Sequence, residues 1–176
     1  LIVLEIMTTN NPFKEKYPKL FRNEDPREPI NLFGIECNSG WNVLLDTTFS
    51  TLYSRYKSAV HNLEFWKNRK PDQFASEEKI KQTISELEEK LKQEEDSLPI
   101  VEQCKEKFGT LRLYCSNEND YSRGVISLAE NMSGHVCEDC GGLGKTYRPP
   151  PSGWVSTLCT VCIKGRDEKL KKPFDF

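Results

Sequence analysis

The sequence predicts an α+β protein, and three observations carry that reading. An apolar stripe with spacings of three and four runs from Trp41 to Trp66. Residues Leu111, Leu113 and Cys115 alternate with Arg112 and Tyr114. Two Cys-x-x-Cys pairs, Cys137/Cys140 and Cys159/Cys162, stand eighteen residues apart near the C-terminal end. They point in turn to a long antiparallel helical hairpin, a β-hairpin followed by a short helix, and a small metal-bound module. The expected boundaries are an N-terminal extended arm over 1–40, the helical hairpin over 41–98, the β-hairpin and short helix over 99–133, and the metal module over 134–176.

Composition fits this division. Hydrophobic residues make up 36% of the 176 and charged residues 30%. A single compact core would be thin, whereas long solvated helices and a metal clamp account for both figures. The formal net charge of −2 gives no overall drive toward nucleic acid or acidic membranes.

The apolar opening Leu1-Ile2-Val3-Leu4-Glu5-Ile6 is too short to span a membrane or direct secretion. It reads either as an extension ahead of Met7 or as a short edge strand. From Thr8 to Asn31, Pro12, Pro18, Pro26 and Pro29 lie among charged residues, which predicts an extended arm with little regular structure. After a turn at Asn38-Ser39-Gly40 the first long helix begins. Trp41, Leu45, Phe49, Leu52, Tyr56, Ala59, Leu63 and Trp66 form one apolar face, and the stretch 68–74, with Pro71, ends it.

Ser76 is the expected N-cap of the second helix, whose stripe is Ile80, Ile84, Leu87 and Leu91. A short connection makes the two helices antiparallel, with Glu86–Lys90 and Glu88–Lys92 as i,i+4 support. Beyond Pro99 two strands are expected around Lys107-Phe108-Gly109-Thr110. A Gly-Thr turn there places Cys104 opposite Cys115, whereas a shifted register does not. A helix over 121–132 should bury Val125, Ile126, Leu128 and Ala129 and stop at Ser133-Gly134.

The paired cysteines are the most specific signal. A two-residue gap lets both thiolates of a pair reach one tetrahedral ion, so Cys137, Cys140, Cys159 and Cys162 read as four sulfur ligands of a structural zinc. Gly141, just after the second thiol, permits the positive φ of a zinc knuckle. A charged, helix-compatible stretch after Cys162 favours a treble clef, and a further hairpin there would make a zinc ribbon. The remaining thiols, Cys37, Cys104 and Cys115, lie in apolar segments and read as buried packing in a reducing cytoplasm.

Catalytic patterns are weak. His61 and His135 are the two histidines: one lies beside the apolar stripe as surface or core filler, and the other, before Cys137, reads as a bystander ahead of the alternatives of substitute ligand or hydrogen-bond partner of a thiolate. The His-x-Glu of a deaminase, a phosphate-binding Gly loop and a nucleophile elbow are lacking. For nucleic acid, 134–176 holds seven Lys/Arg against five Asp/Glu, and four thiolates on a divalent zinc cancel that excess. Two local clusters remain as candidate partner-binding cations: Lys105, Lys107 and Arg112 on the β-hairpin, and Lys164, Arg166 and Lys169 after the second pair. A protein partner ranks first and nucleic acid second, with no membrane.

Several residues in order also carry a resemblance. Gly40-Trp41 precedes a helix, followed by Glu106-Lys107-Phe108-Gly109-Thr110-Leu111-Arg112 with Leu113-Tyr114. Ala129-Glu130, Ser133, Cys137-Glu138-x-Cys140-Gly141, Gly153-Trp154 and Thr157-Leu158-Cys159 come next. This pattern resembles a group of small zinc-binding proteins of bacteriophages and prophages, over roughly 33–162, with Lys-Phe-Gly-Thr-Leu-Arg its most specific part. The resemblance implies a phage origin and a bacterial host cytoplasm, a packing role for Cys104, and no particular activity. The function expected is that of a non-enzymatic accessory protein that binds a host or phage protein, including an inhibitor of host defence such as an anti-CRISPR. A nucleic-acid-binding accessory or regulatory protein is the alternative.

Overall fold

The computed structural model describes residues 11–148 and 153–171, the last five of these in backbone only. The expectation for Leu1–Ile6 lies outside the described residues.

Three short helical segments that open on proline, and a 3-10 turn at Ser39–Trp41, precede the long hairpin among the described residues. Helix α1 spans Pro12–Lys16, a 3-10 turn Pro18–Phe21 and helix α2 Pro29–Leu32, each with proline at its first positions. The expected extended arm is therefore corrected: Pro12, Pro18 and Pro29 start helical turns, where a missing N–H costs nothing. Phe13, Tyr17, Leu20, Phe21 and Ile30 are buried. The Phe13 and Phe21 rings meet Phe49 edge-on at 5.2 and 5.3 Å. Tyr17 Oη donates to Asp46 Oδ1 at 2.8 Å, and Arg22 Nη2 donates to the Leu98 carbonyl at 2.9 Å. The arm is thus one wall of the core.

Helix α3, Asn42–Lys67, buries Leu45, Phe49, Leu52, Ala59 and Leu63 of the expected stripe together with Leu44, Thr48 and Tyr53, and leaves Tyr56 and Trp66 half-buried. Its apolar face is broader than one stripe because the arm and a later helix cover two sides of it. Helix α4, Glu77–Asp96, starts at Ser76, whose Oγ accepts from the Lys79 amide at 3.3 Å. Glu77 and Glu78 in its first turn suit the positive end of the helix dipole. Ala59, Leu63, Ala75 and Ile80 are buried in the distal half of the hairpin. Lys67 bridges to Glu88 across the hairpin at 2.7 Å, so Glu88 is tied to the opposite helix instead of to Lys92.

A three-stranded sheet follows, in the order β1 (Ile35–Glu36), β2 (Ile100–Lys107) and β3 (Thr110–Ser116). β1 runs parallel to β2, and β3 antiparallel to it. Phe108 and Gly109, with φ of 54° and 79°, are the two turn residues, as in a type I′ hairpin. The Gly-Thr turn is corrected accordingly: Cys104 faces Leu113, and a bulge between Val101 and Gln103 sets Cys115 opposite Val101.

Helix α5, Asp120–Ser133, opens with a capping box between Asn119 and Ser122. It buries Ile126 and Ala129, while Leu128 is 61% exposed, contrary to expectation. Two residues from Ile126, Leu128 falls on the opposite side of the helix. Two α5 side chains also close the edge of the sheet. Ser133 Oγ accepts from the Leu111 amide at 2.8 Å and Glu130 Oε1 from the Leu113 amide at 3.0 Å. Capped amides leave that edge a poor template for another strand. Among the described residues no helix is long and apolar enough to cross a membrane.

Candidate metal centre

The C-terminal module is a knuckle, a hairpin and a helix. In the knuckle the Cys137 amide donates to the Gly142 carbonyl at 2.7 Å and the Gly141 amide to the Cys137 carbonyl at 2.9 Å. Gly141 adopts φ 76°, as a residue without Cβ can. Strands β4 (Lys145–Tyr147) and β5 (Ser156–Leu158) pair antiparallel. Helix α6 covers Thr160–Lys171, so Cys159 stands just before it and Cys162 in its first turn. A helix at this position gives the treble-clef layout.

The four sulfur atoms of Cys137, Cys140, Cys159 and Cys162 lie within 4.8 Å of one another. The Cys140 and Cys159 sulfurs are 3.7 Å apart. A tetrahedral ion with sulfur bonds of about 2.3 Å sets its ligands about 3.8 Å apart, so the cage has the size of one ion. The backbone amide of Cys162, followed by its thiol, holds the Cys159 thiol down to about 7, toward the thiolate form that binds metal. Four sulfur donors make a complete structural set.

The module is joined to the rest of the protein by close backbone contact. The Gly40 amide donates to the Glu138 carbonyl at 2.9 Å, and Trp41 Nε1 to the Val136 carbonyl at 2.8 Å. A Cβ on Gly40 would come within 2.5 Å of the Glu138 carbonyl oxygen. On the other side, Thr157 Oγ1 donates to the Gly109 carbonyl at 2.5 Å, and a Cβ on Gly109 would sit 3.1 Å from the Ser156 backbone. Gly40-Trp41, the Phe-Gly-Thr turn, Ser133, Glu138 and Thr157 therefore meet at one junction between the module and the core.

Arg166, a candidate partner-binding cation, is half-buried and paired within the module. Its Nε donates to Asp139 Oδ2 at 2.9 Å, and its Nη2 to Asp139 Oδ1 at 2.5 Å and Glu138 Oε1 at 3.0 Å. Nη1 reaches Ser156 Oγ at 3.1 Å. Glu138 is buried beside Cys137, and Arg166 supplies the countercharge that burial requires. Sequence reasoning missed this clamp. Its signal was Glu138-Asp139 inside the first cysteine pair, followed by one arginine on the helix that carries the second.

The other candidate cations are dispersed in role. Lys105 Nζ lies 5.5 Å above the Tyr114 ring, and Lys107 Nζ 5.7 Å above Phe108. Arg112 Nη1 donates to Thr110 Oγ1 and the Leu111 carbonyl, both at 2.7 Å. Lys164 is exposed, and the side chain of Lys169 lies outside the described residues. His61 and His135 are exposed, and neither belongs to the sulfur cluster. Cys104 is buried, and Cys37 packs against the core cluster that contains it. Burial pushes the Cys115 thiol up to about 12. No protein-family model, curated protein or solved structure matches the chain.

Proposed function

We propose that this chain is a non-enzymatic accessory protein of phage origin, stabilised by zinc, that works in the host cytoplasm by binding a host or phage protein. Inhibition of host defence, of the anti-CRISPR kind, is the role we assign to it. The observation that carries the reading is the exposure of large apolar side chains on a surface that is otherwise highly charged. Val43, Leu128, Leu143, Trp154 and Val161 are each at least 61% exposed. Trp is enriched at the centres of protein contact surfaces, and contiguous exposed apolar surface marks them. Between α3 and α5 an apolar groove of about 280 Å³ adds to this. Its Thr47, Thr48 and Thr51 hydroxyls donate to their own helix at 2.7–2.8 Å, so it presents methyl groups in place of reactive polar atoms.

Zinc is the metal we assign to the four thiolates, because tetrahedral sulfur cages suit it and the cluster has no catalytic opening. Protein ranks above nucleic acid because Arg166 is consumed inside the module, which thins the cationic surface that phosphates would need. Affinity purification of the tagged chain from phage-infected cells tests the reading. The expected result is one host or phage protein, retained after nuclease treatment. Recovery of nuclease-sensitive material alone, with a salt-dependent shift of random DNA or RNA, would overturn it in favour of nucleic acid.

A further inference from the structure

We propose that the cavity beside Trp154 docks a basic segment of the protein partner, one arginine or lysine side chain entering between the indole and the carboxylates of Glu36 and Glu106. The inference rests on the protein-binding reading above and narrows it to a partner chemistry.

The cavity, of about 460 Å³, lies where β1, β2, β5 and α6 meet. Glu36, Glu106, Glu138, Trp154 and Arg166 are among the residues that line it. Among the described residues Arg166 is the one cation of that lining, and Glu138 and Asp139 hold it. Neither Glu36 nor Glu106 takes part in an ion pair among the described residues. Glu36 accepts from Gln103 Nε2 at 3.1 Å, and Glu106 from the Gly109 amide at 2.5 Å. Lys105, the register neighbour of Glu36, is turned over the Tyr114 ring. Among the described residues the walls therefore carry net negative charge, and a concave site concentrates the resulting field.

Trp154 supplies the second half of the recognition chemistry. It is 68% exposed, and the glycine before it has φ 67°. An indole face is the best side-chain surface for a cation, and a guanidinium both stacks on it and bonds a carboxylate through paired N–H groups. Two carboxylates that line one cavity with an exposed indole match that cation in charge. The same walls repel phosphate.

The test is an NMR titration of the zinc-loaded full chain with acetyl-Gly-Arg-Gly-Arg-Gly-amide. The control peptide carries citrulline in place of arginine. Saturable shifts of the Trp154 indole N–H and of the Glu36 amide are expected, with binding at least tenfold tighter than for the control. Trp154→Ala should weaken binding about tenfold and Glu36→Gln at least threefold, whereas Glu86→Gln with Glu89→Gln on the acidic α4 should leave it unchanged. Equal binding of the citrulline peptide, shifts centred on α4, or undiminished affinity in both Trp154→Ala and Glu36→Gln would overturn the proposal. If the titration fails while a protein partner is still captured, the docking site is lost and the protein-binding reading stands. If capture fails while the titration succeeds, the protein-binding reading is the one at fault.

Discussion

At the scale of single residues, Gly40 is the most tightly enclosed of the described glycines. Its hydrogen occupies the space that a methyl group would share with the Cys137 and Glu138 carbonyls, which belong to backbone that cannot rotate away. Gly40→Ala should therefore destabilise the protein by about 3 kcal/mol, the upper end for overpacking a filled site. Urea unfolding of the zinc-loaded chain measures this, and a change below about 0.5 kcal/mol would contradict the close packing. The thiols give a second residue-level prediction. Contact with the Cys104 thiol lowers Cys37, burial raises Cys115 to about 12, and Cys104 is raised well above its usual range. A raised thiol stays protonated and unreactive until the pH climbs toward its own value. Iodoacetamide at pH 8 should alkylate Cys37 first among these three, and mass mapping of the folded protein reads the order. Faster labelling of Cys115 would contradict it.

At the scale of elements, local periodicity was a good guide where one partner surface decides burial. The stripe from Leu45 to Leu63 and the start of α4 at Ser76 follow from spacing and capping chemistry alone. The arm was not legible, because a proline that breaks a helix and one that begins it look alike until the neighbouring aromatics find a core. Phe13, Tyr17 and Phe21 find theirs around Phe49, far along the chain. The β-hairpin shows the same limit. Phe108 is an uncommon residue for φ 54°, so the glycine drew attention to a turn one residue later than the real one. Phe108 is also 74% exposed, and little packing would be lost on its replacement. Phe108→Asn should stabilise the chain by about 1 kcal/mol, since Asn tolerates the left-handed region. A higher urea midpoint at unchanged slope is the expected reading. A lower midpoint would show that the ring has a contact that outweighs the strain.

At the scale of the whole molecule, the cysteine spacing anticipated the cluster of four sulfurs but gave no sign of how that cluster is attached. The four sulfurs are close in sequence within pairs, whereas the attachment joins Gly40 to Glu138, Trp41 to Val136 and Gly109 to Thr157. Such contacts leave no periodic trace, because each is a single backbone or hydroxyl bond between distant segments. They nevertheless decide what metal loss does. A bound structural zinc contributes on the order of 10 kcal/mol to folding a small site, so a strong chelator should unfold the module. Trp41 is fully buried in the main core and its indole donates into the module. Unfolding should therefore spread to the start of α3 and to the β2–β3 turn. The distal half of the helical hairpin packs on itself through Ala59, Leu63 and Ile80 and should persist. Hydrogen exchange after chelation tests this directly. Amides over 40–48 and 108–113 should lose protection together with those over 134–148, while those over 59–66 and 80–91 keep theirs. Protection loss confined to the module would show that the junction is an ordinary contact between independent parts. Loss throughout the hairpin would show that the metal holds the entire fold. The expected result, between these two, makes the metal a clamp on the junction, and so on the cavity beside Trp154 that is built across it.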